Sequence, residues 1–213
     1  MIPVRLIWAS DGLLALAVAV TLAIGPQGLL TEITGERPTW RRALWLALPA
    51  GAAGLATLAV CAALARPQIA GPLCAAAVCL TAVLVVDGRW LVIPDVYVVA
   101  LAALGLAGAS QIGWATAAIG AALGGGLLAA VRWGFLRLAR IEGLGFGDVK
   151  LMAAIGLLIG PSGVLWVVIL ASALGAIWIL LRGRAADGAR QMAPFGACAA
   201  VPAFLVLALD RLG

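Results

Sequence analysis

Val149-Lys-Leu-Met-Ala-Ala-Ile-Gly-Leu-Leu-Ile-Gly160, continued by Pro161-Ser-Gly-Val164 and an apolar run to Arg182, decides how this chain is laid out. Read as one broken segment, 149–182 crosses a bilayer once. Read as two, it holds a short helix over 149–160 and a full span over 164–182. Twelve residues at about 1.5 Å each reach only about 18 Å, against a hydrocarbon core of roughly 30 Å. So short a helix needs its polar end in a water-filled cavity rather than in lipid.

The rest of the chain shows that a bilayer is the right frame. Hydrophobic residues make up 65% of the 213 and charged residues 11%, with a mean hydropathy of +1.16, far from soluble composition. Further runs long enough to span lie near 6–24, 43–65, 69–87, 94–112, 114–132 and 192–209. Cation counting decides between the two readings of 149–182. With eight spans, one face holds Arg37, Arg41, Arg42, Arg89, Arg132, Arg137, Arg140, Lys150, Arg182, Arg184 and Arg190, and the other only Arg5, Arg66 and Arg211. Merging 149–182 reduces that split of eleven against three to nine against five. The positive-inside rule favours eight spans with both termini periplasmic. Residues 1–25 could pass for a cleaved signal peptide, but removing them would put the Arg37–Arg42 loop outside, so they read as a retained first helix. The expectation is a single all-α polytopic domain over 1–213. Two leading helices (1–66) with a short cytoplasmic loop, 25–42, precede a six-helix core, 67–213.

Several chemistries fall away at once. The chain has no histidine, which removes Ser-His and Cys-His catalysis and histidine-based metal sites. Cys61, Cys74, Cys79 and Cys198 lie inside apolar runs with no Cys-x-x-Cys pair, so neither zinc nor a disulfide framework is expected. The net charge of +5 sits in short loops between spans, which is topology rather than nucleic-acid binding. The eight tryptophans fall near predicted helix ends, like an interfacial belt. Gly120 and Gly124 form a Gly-x-x-x-Gly within 114–132, a candidate helix-packing seam.

The nine acidic residues are the remaining chemistry. Asp11, Glu32, Glu36, Asp187 and Asp210 are loop, terminal or near-surface charges. Asp87, Asp95, Glu142 and Asp148 differ, because all four map to the cytoplasmic face beside short loops. Asp87 closes the run Leu-Thr-Ala-Val-Leu-Val-Val-Asp, and Asp95 follows Pro94. A carboxylate there costs a few kcal/mol unless compensated. Each fits a helix-end charge, Asp95 after proline as an N-terminal cap. Asp87 and Asp148 also fit a proton-sharing acid pair, as in an aspartyl protease. The segment Glu142-Gly-Leu-Gly-Phe-Gly-Asp-Val-Lys150 adds weight to the second reading. Gly145 and Gly147 leave space beside Asp148, where an extended substrate backbone could approach, although an ordinary glycine turn has the same composition. Lys150 either holds Asp148 ionised or anchors its helix at the interface.

With these residues in view, the chain resembles the type 4 prepilin peptidases, polytopic membrane aspartyl proteases of the Gly-x-Gly-Asp class. The likeness rests on Val86-Asp87 with Ile93-Pro94-Asp95, on Glu142 to Leu151, and on Ala193-Pro194-Phe195-Gly196 opening the last span. The resemblance implies catalytic roles for Asp87 and Asp148. It makes Pro94, Asp95, Glu142, Gly145, Gly147 and Lys150 motif or substrate-binding candidates. It also implies prepilin or pseudopilin substrates with basic leaders, a bacterial inner-membrane location, and an active site facing the cytoplasm. Large family members carry a zinc-binding Cys-x-x-Cys region after the first helix and N-methylate the new terminus. Loop 25–42 has no cysteine, so no metal or other cofactor is expected and methyl transfer is doubtful. Two rival readings stand beside this one. A presenilin-like intramembrane protease shares Gly-x-Gly-Asp but uses Pro-Ala-Leu where this chain has Pro194-Phe195-Gly196. A carboxylate-lined transporter would spread its acids through the membrane depth, whereas nothing acidic lies between 43 and 86.

Overall fold

The computed structural model describes residues 67–140, 143–182 and 193–212, with Pro49, Ala52, Ala53, Ala56, Thr57 and Ala59 as helical positions upstream. The expected span 6–24, loop 25–42, most of 43–65 and Glu142 lie outside the described residues. Those described form an all-helical membrane protein: α1 (Pro67–Trp90), α2 (Asp95–Ile112), α3 (Trp114–Gly134), α4 (Phe146–Arg182) and α5 (Phe195–Leu212). A π-helical turn, Phe135–Ala139, extends α3. The first four are long and apolar enough to cross a membrane.

Among the described helices, α1 is the central one. Residues 73–80 are buried on every face, as a helix that is apolar all round requires. It runs three residues beyond the expected end at Asp87, because backbone hydrogen bonding continues a helix whatever the side chain. It stops at Trp90, where Leu91 takes φ 55° and its N–H donates back to the Asp87 carbonyl at 2.9 Å. That is a left-handed C-terminal cap, usually made by glycine. Pro94 is the N-cap of α2, with no side-chain cap. Asp95 is therefore the first helical residue rather than the cap expected from sequence.

The run 149–182 folds back on itself. Gly160 breaks α4 with φ 73° and ψ −176°, a conformation open to glycine and strained for other residues. A Cβ placed on Gly124 of α3 would lie 2.3 Å from the Met152 carbonyl oxygen and 2.9 Å from a Val164 methyl. In a continuous helix those two residues would be about 18 Å apart along the axis. The arms 146–159 and 161–182 are therefore antiparallel. The second returns far enough for Gly175 to meet Ala193, just before α5. The break frees carbonyls that a continuous helix would satisfy, and Arg211 of α5 donates to one of them, that of Leu158, at 3.5 Å. Its other terminal nitrogen donates to Gln111 at 2.7 Å.

Small residues let α3 and α4 touch backbone to backbone, as the Gly120/Gly124 seam implies. A Cβ on Gly156 would fall 2.1 Å from the Gly120 carbonyl oxygen. Backbone cannot swing aside as a side chain does, so Gly156→Ala should separate the helices. The expected cost is about 1–3 kcal/mol, read as a lower unfolding temperature in detergent.

Charge divides the described bundle into two ends. Asp87, Arg89, Asp95, Arg132, Arg137, Arg140, Asp148, Lys150 and Arg182 belong to one end, and Asp210 and Arg211 to the other. Between them lies no charged residue among those described. Many large apolar side chains of the second arm of α4, including Trp166, Ile169 and Ile177, face outward. In water that surface would be unfavourable; in lipid it is the contact surface.

Candidate active site

Asp87 and Asp148 meet at the charged end, on either side of the first turn of α5. The N–H groups of a first helical turn have no partner within the helix and carry the positive end of its dipole. Here that of Ala197 points at the Asp87 carboxylate. Ala197 donates to Asp87 Oδ2 at 2.8 Å, and Gly196 lies beside the same oxygen, where an added Cβ would stand 3.1 Å away. Asp87 is only 4% exposed. That amide thus stands in for part of the water that its charge would otherwise need.

Asp148 is placed by its own helix. It is the third residue of α4, and its Oδ2 accepts from the Gly145 N–H at 3.2 Å. A side chain at the third position reaching back to the N-cap amide is one half of a capping box, with Gly145 as the cap. The acid lies close enough to Asp87 for the two charges to repel.

Three motif glycines let their backbones come close to the acids and to Ile93. A Cβ on Gly145 would stand 3.1 Å from Asp148 Oδ2, and one on Gly196 would stand 3.1 Å from Asp87 Oδ2 and 2.6 Å from Ile93 Cδ1. On Gly147 the neighbour would be Ile93 Cβ at 3.3 Å. Ile93 is thus wedged between the Gly147 and Gly196 backbones, beside both acids. It reaches there because the Leu91 cap ends α1 and leaves 92–94 to cross the site outside any helix.

Of the other residues singled out from sequence, Pro94 and Asp95 open α2 at the rim. Lys150 is paired with Asp95 and not with Asp148. Its Nζ lies 3.0 Å from both oxygens of Asp95 and 5.2 Å from the Phe146 ring centre. Residues two apart on a helix face different ways, so Lys150 and Asp148 diverge and the lysine ties α4 to α2. This ion pair is well exposed, at 39% for Lys150 and 66% for Asp95. Asp95→Asn should therefore lower stability by less than about 1 kcal/mol, measured by thermal unfolding.

Sequence reading misses three contributors: the Ala197 amide, Ile93, and Arg132, which donates to the Leu144 carbonyl. Amides carry no side-chain signature, and Gly196 enters only through the resemblance. Ile93 likewise enters only as part of the Ile93-Pro94-Asp95 motif of that resemblance, and Arg132 stands 16 residues before Asp148 in sequence with nothing local to mark it. Among the described residues, Cys74 and Cys79 are buried in α1 and Cys198 is half-buried in α5, none of the three in a disulfide.

A family model described as the type IV leader peptidase family matches residues 74–180, a stretch that contains both Asp87 and Asp148. The chain belongs to the type IV leader peptidase family. It is 36% identical over 128 residues to a prepilin leader peptidase/N-methyltransferase of Xanthomonas campestris pv. campestris, covering 57% of this chain and 44% of that one. Leader peptidase HopD of Escherichia coli is 37% identical over 89 residues, 41% of this chain and 57% of that one. The prepilin leader peptidase/N-methyltransferase of Escherichia coli K12 is 38% identical over 96 residues, 44% of this chain and 42% of that one. The chain thus spans about half the length of these curated relatives. No solved structure matches it.

Proposed function

We propose that this chain is a membrane aspartyl endopeptidase with Asp87 and Asp148 as its acid pair. It would remove the basic leader from type IV or Flp prepilins, or from type II secretion pseudopilins, at the cytoplasmic face of the inner membrane. The observation that carries the reading is the meeting of two carboxylates at the start of α5, each held by a backbone amide, Asp87 by that of Ala197 and Asp148 by that of Gly145. Two acids so close share a proton, because like charges resist joint ionisation. The ionised member accepts a proton from the attacking water while the protonated member polarises the scissile carbonyl. An extended leader backbone reaches the acids from the charged end of the bundle.

Topology and substrate follow the same line. The six cations of the acid-pair end, against Arg211 at the other end among the described residues, support a cytoplasmic site. The hairpin at Gly160 supports the eight-span layout with both termini periplasmic, as one domain over 1–213 whose core is 67–213. The names of the relatives support prepilin leaders as substrates. Peptidase action alone is proposed, since loop 25–42 has no cysteine for the zinc region that accompanies methyl transfer.

The test is cleavage of a prepilin by the full chain in lipid, with the product mapped by mass spectrometry. A cut between the basic leader and the apolar helix is expected. A cut within the helix, or full activity in either Asp87→Asn or Asp148→Asn, would sink the reading.

A further inference from the structure

We infer that Arg132, on the last turn of α3, is a positioning residue that aims Asp148 through a single peptide group; this rests on the acid-pair reading above. Arg132 Nη1 donates to the carbonyl of Leu144, and the N–H that holds Asp148 Oδ2 is that of Gly145. The Leu144 carbonyl and the Gly145 N–H are the two ends of one planar unit. Fixing the oxygen therefore fixes the direction of the N–H, on the opposite side of the peptide bond. A guanidinium on the oxygen also polarises the peptide, so that its N–H becomes a better donor to a carboxylate.

This peptide needs holding from outside. Gly143 and Gly145 flank Leu144, and glycine has no preferred backbone basin of its own, so the turn has little reason to keep one orientation. The end of α3 supplies the restraint twice. Besides Arg132, the Phe135 ring packs on Gly143, where an added Cβ would meet it at 2.9 Å. Phe135 opens the π-helical turn Phe135–Ala139. Such turns are local departures that frequently mark functional sites. The positive charge of Arg132 thus serves a carboxylate on α4 through the peptide between them, while Lys150, closer in sequence, is committed to Asp95.

The experiment compares Arg132→Leu, Arg132→Lys and Asp148→Asn in the full chain reconstituted in lipid. The probe is a prepilin with a basic leader ahead of its apolar helix, and thermal unfolding is recorded for every variant. Arg132→Leu should lower kcat about 10- to 100-fold, the scale of a misdirected catalytic group, with KM within about twofold of wild type. Arg132→Lys should recover most of the loss, because an ammonium can donate to the same carbonyl. If the leucine variant does not fold, Arg132→Gln carries the test with an intermediate loss of kcat. Wild-type kcat in the leucine or glutamine variant, while Asp148→Asn is inactive, overturns the role of Arg132 alone. So does a lysine variant as impaired as leucine. Wild-type activity in Asp148→Asn removes the acid pair instead.

Discussion

Replacing either Asp87 or Asp148 by asparagine should lower kcat for leader cleavage by about 10²- to 10⁴-fold, the range of a lost general acid or base. The double variant should be no worse than the more damaged single one. Non-additivity is expected because the two groups act as one proton-sharing unit: either loss leaves the other acid with no partner for the proton. The fold should survive both changes. Asp87→Asn keeps a carbonyl oxygen able to accept from Ala197, whose N–H donates to the Asp87 carboxylate at 2.8 Å. Asp148→Asn likewise keeps an acceptor for the Gly145 N–H. Initial rates with a saturating prepilin, together with thermal unfolding, separate these effects. Losses that multiply in the double variant would mean two independent sites and would discard the shared-proton mechanism. A large fall in unfolding temperature would recast the carboxylates as structural.

The bundle is legible in the sequence because a bilayer imposes length and polarity on every span. The runs 94–112 and 114–132 agree with α2 and α3 to within about two residues at each end. Hydropathy places the end of α1 at Asp87 instead of Trp90, since it registers where apolar residues stop and not where hydrogen bonds do. The hairpin at Gly160 is visible only indirectly, as a cation imbalance, because a broken helix and a fold-back have the same local composition. The two acids stand out because charge is costly in this setting. Their surroundings do not, because what compensates the charge is backbone: the Ala197 amide of α5 and that of the Leu144–Gly145 peptide. Lys150 shows the limit of proximity in sequence. Two residues from Asp148, it pairs with Asp95, 55 residues away, because helix geometry points it elsewhere.

Gly196→Ala should cost about 10- to 100-fold in kcat, and Ile93→Val should restore part of that loss. The added methyl would lie 2.6 Å from Ile93 Cδ1, 3.2 Å from Ile93 Cγ1 and 3.1 Å from Asp87 Oδ2. A flexible side-chain end would ordinarily yield at little cost. Ile93 has less room to do so, because its Cβ already stands 3.3 Å from where a Gly147 side chain would begin. Retreat from α5 presses it on the backbone that leads into Asp148. Strain at Gly196 therefore passes to both acids: directly to Asp87, and through Ile93 toward α4. Valine at 93 removes the Cδ1 contact, the tightest of the three. An isoleucine-to-valine change itself costs only about 0.5–1.5 kcal/mol, and less where the residue is partly exposed. The Gly196→Ala/Ile93→Val variant should then cleave prepilin several-fold faster than Gly196→Ala, with the gain arising inside the site rather than from any new substrate contact. Equal rates in the two would show that the methyl acts on Asp87 alone, and that Ile93 does not couple the two motif glycines.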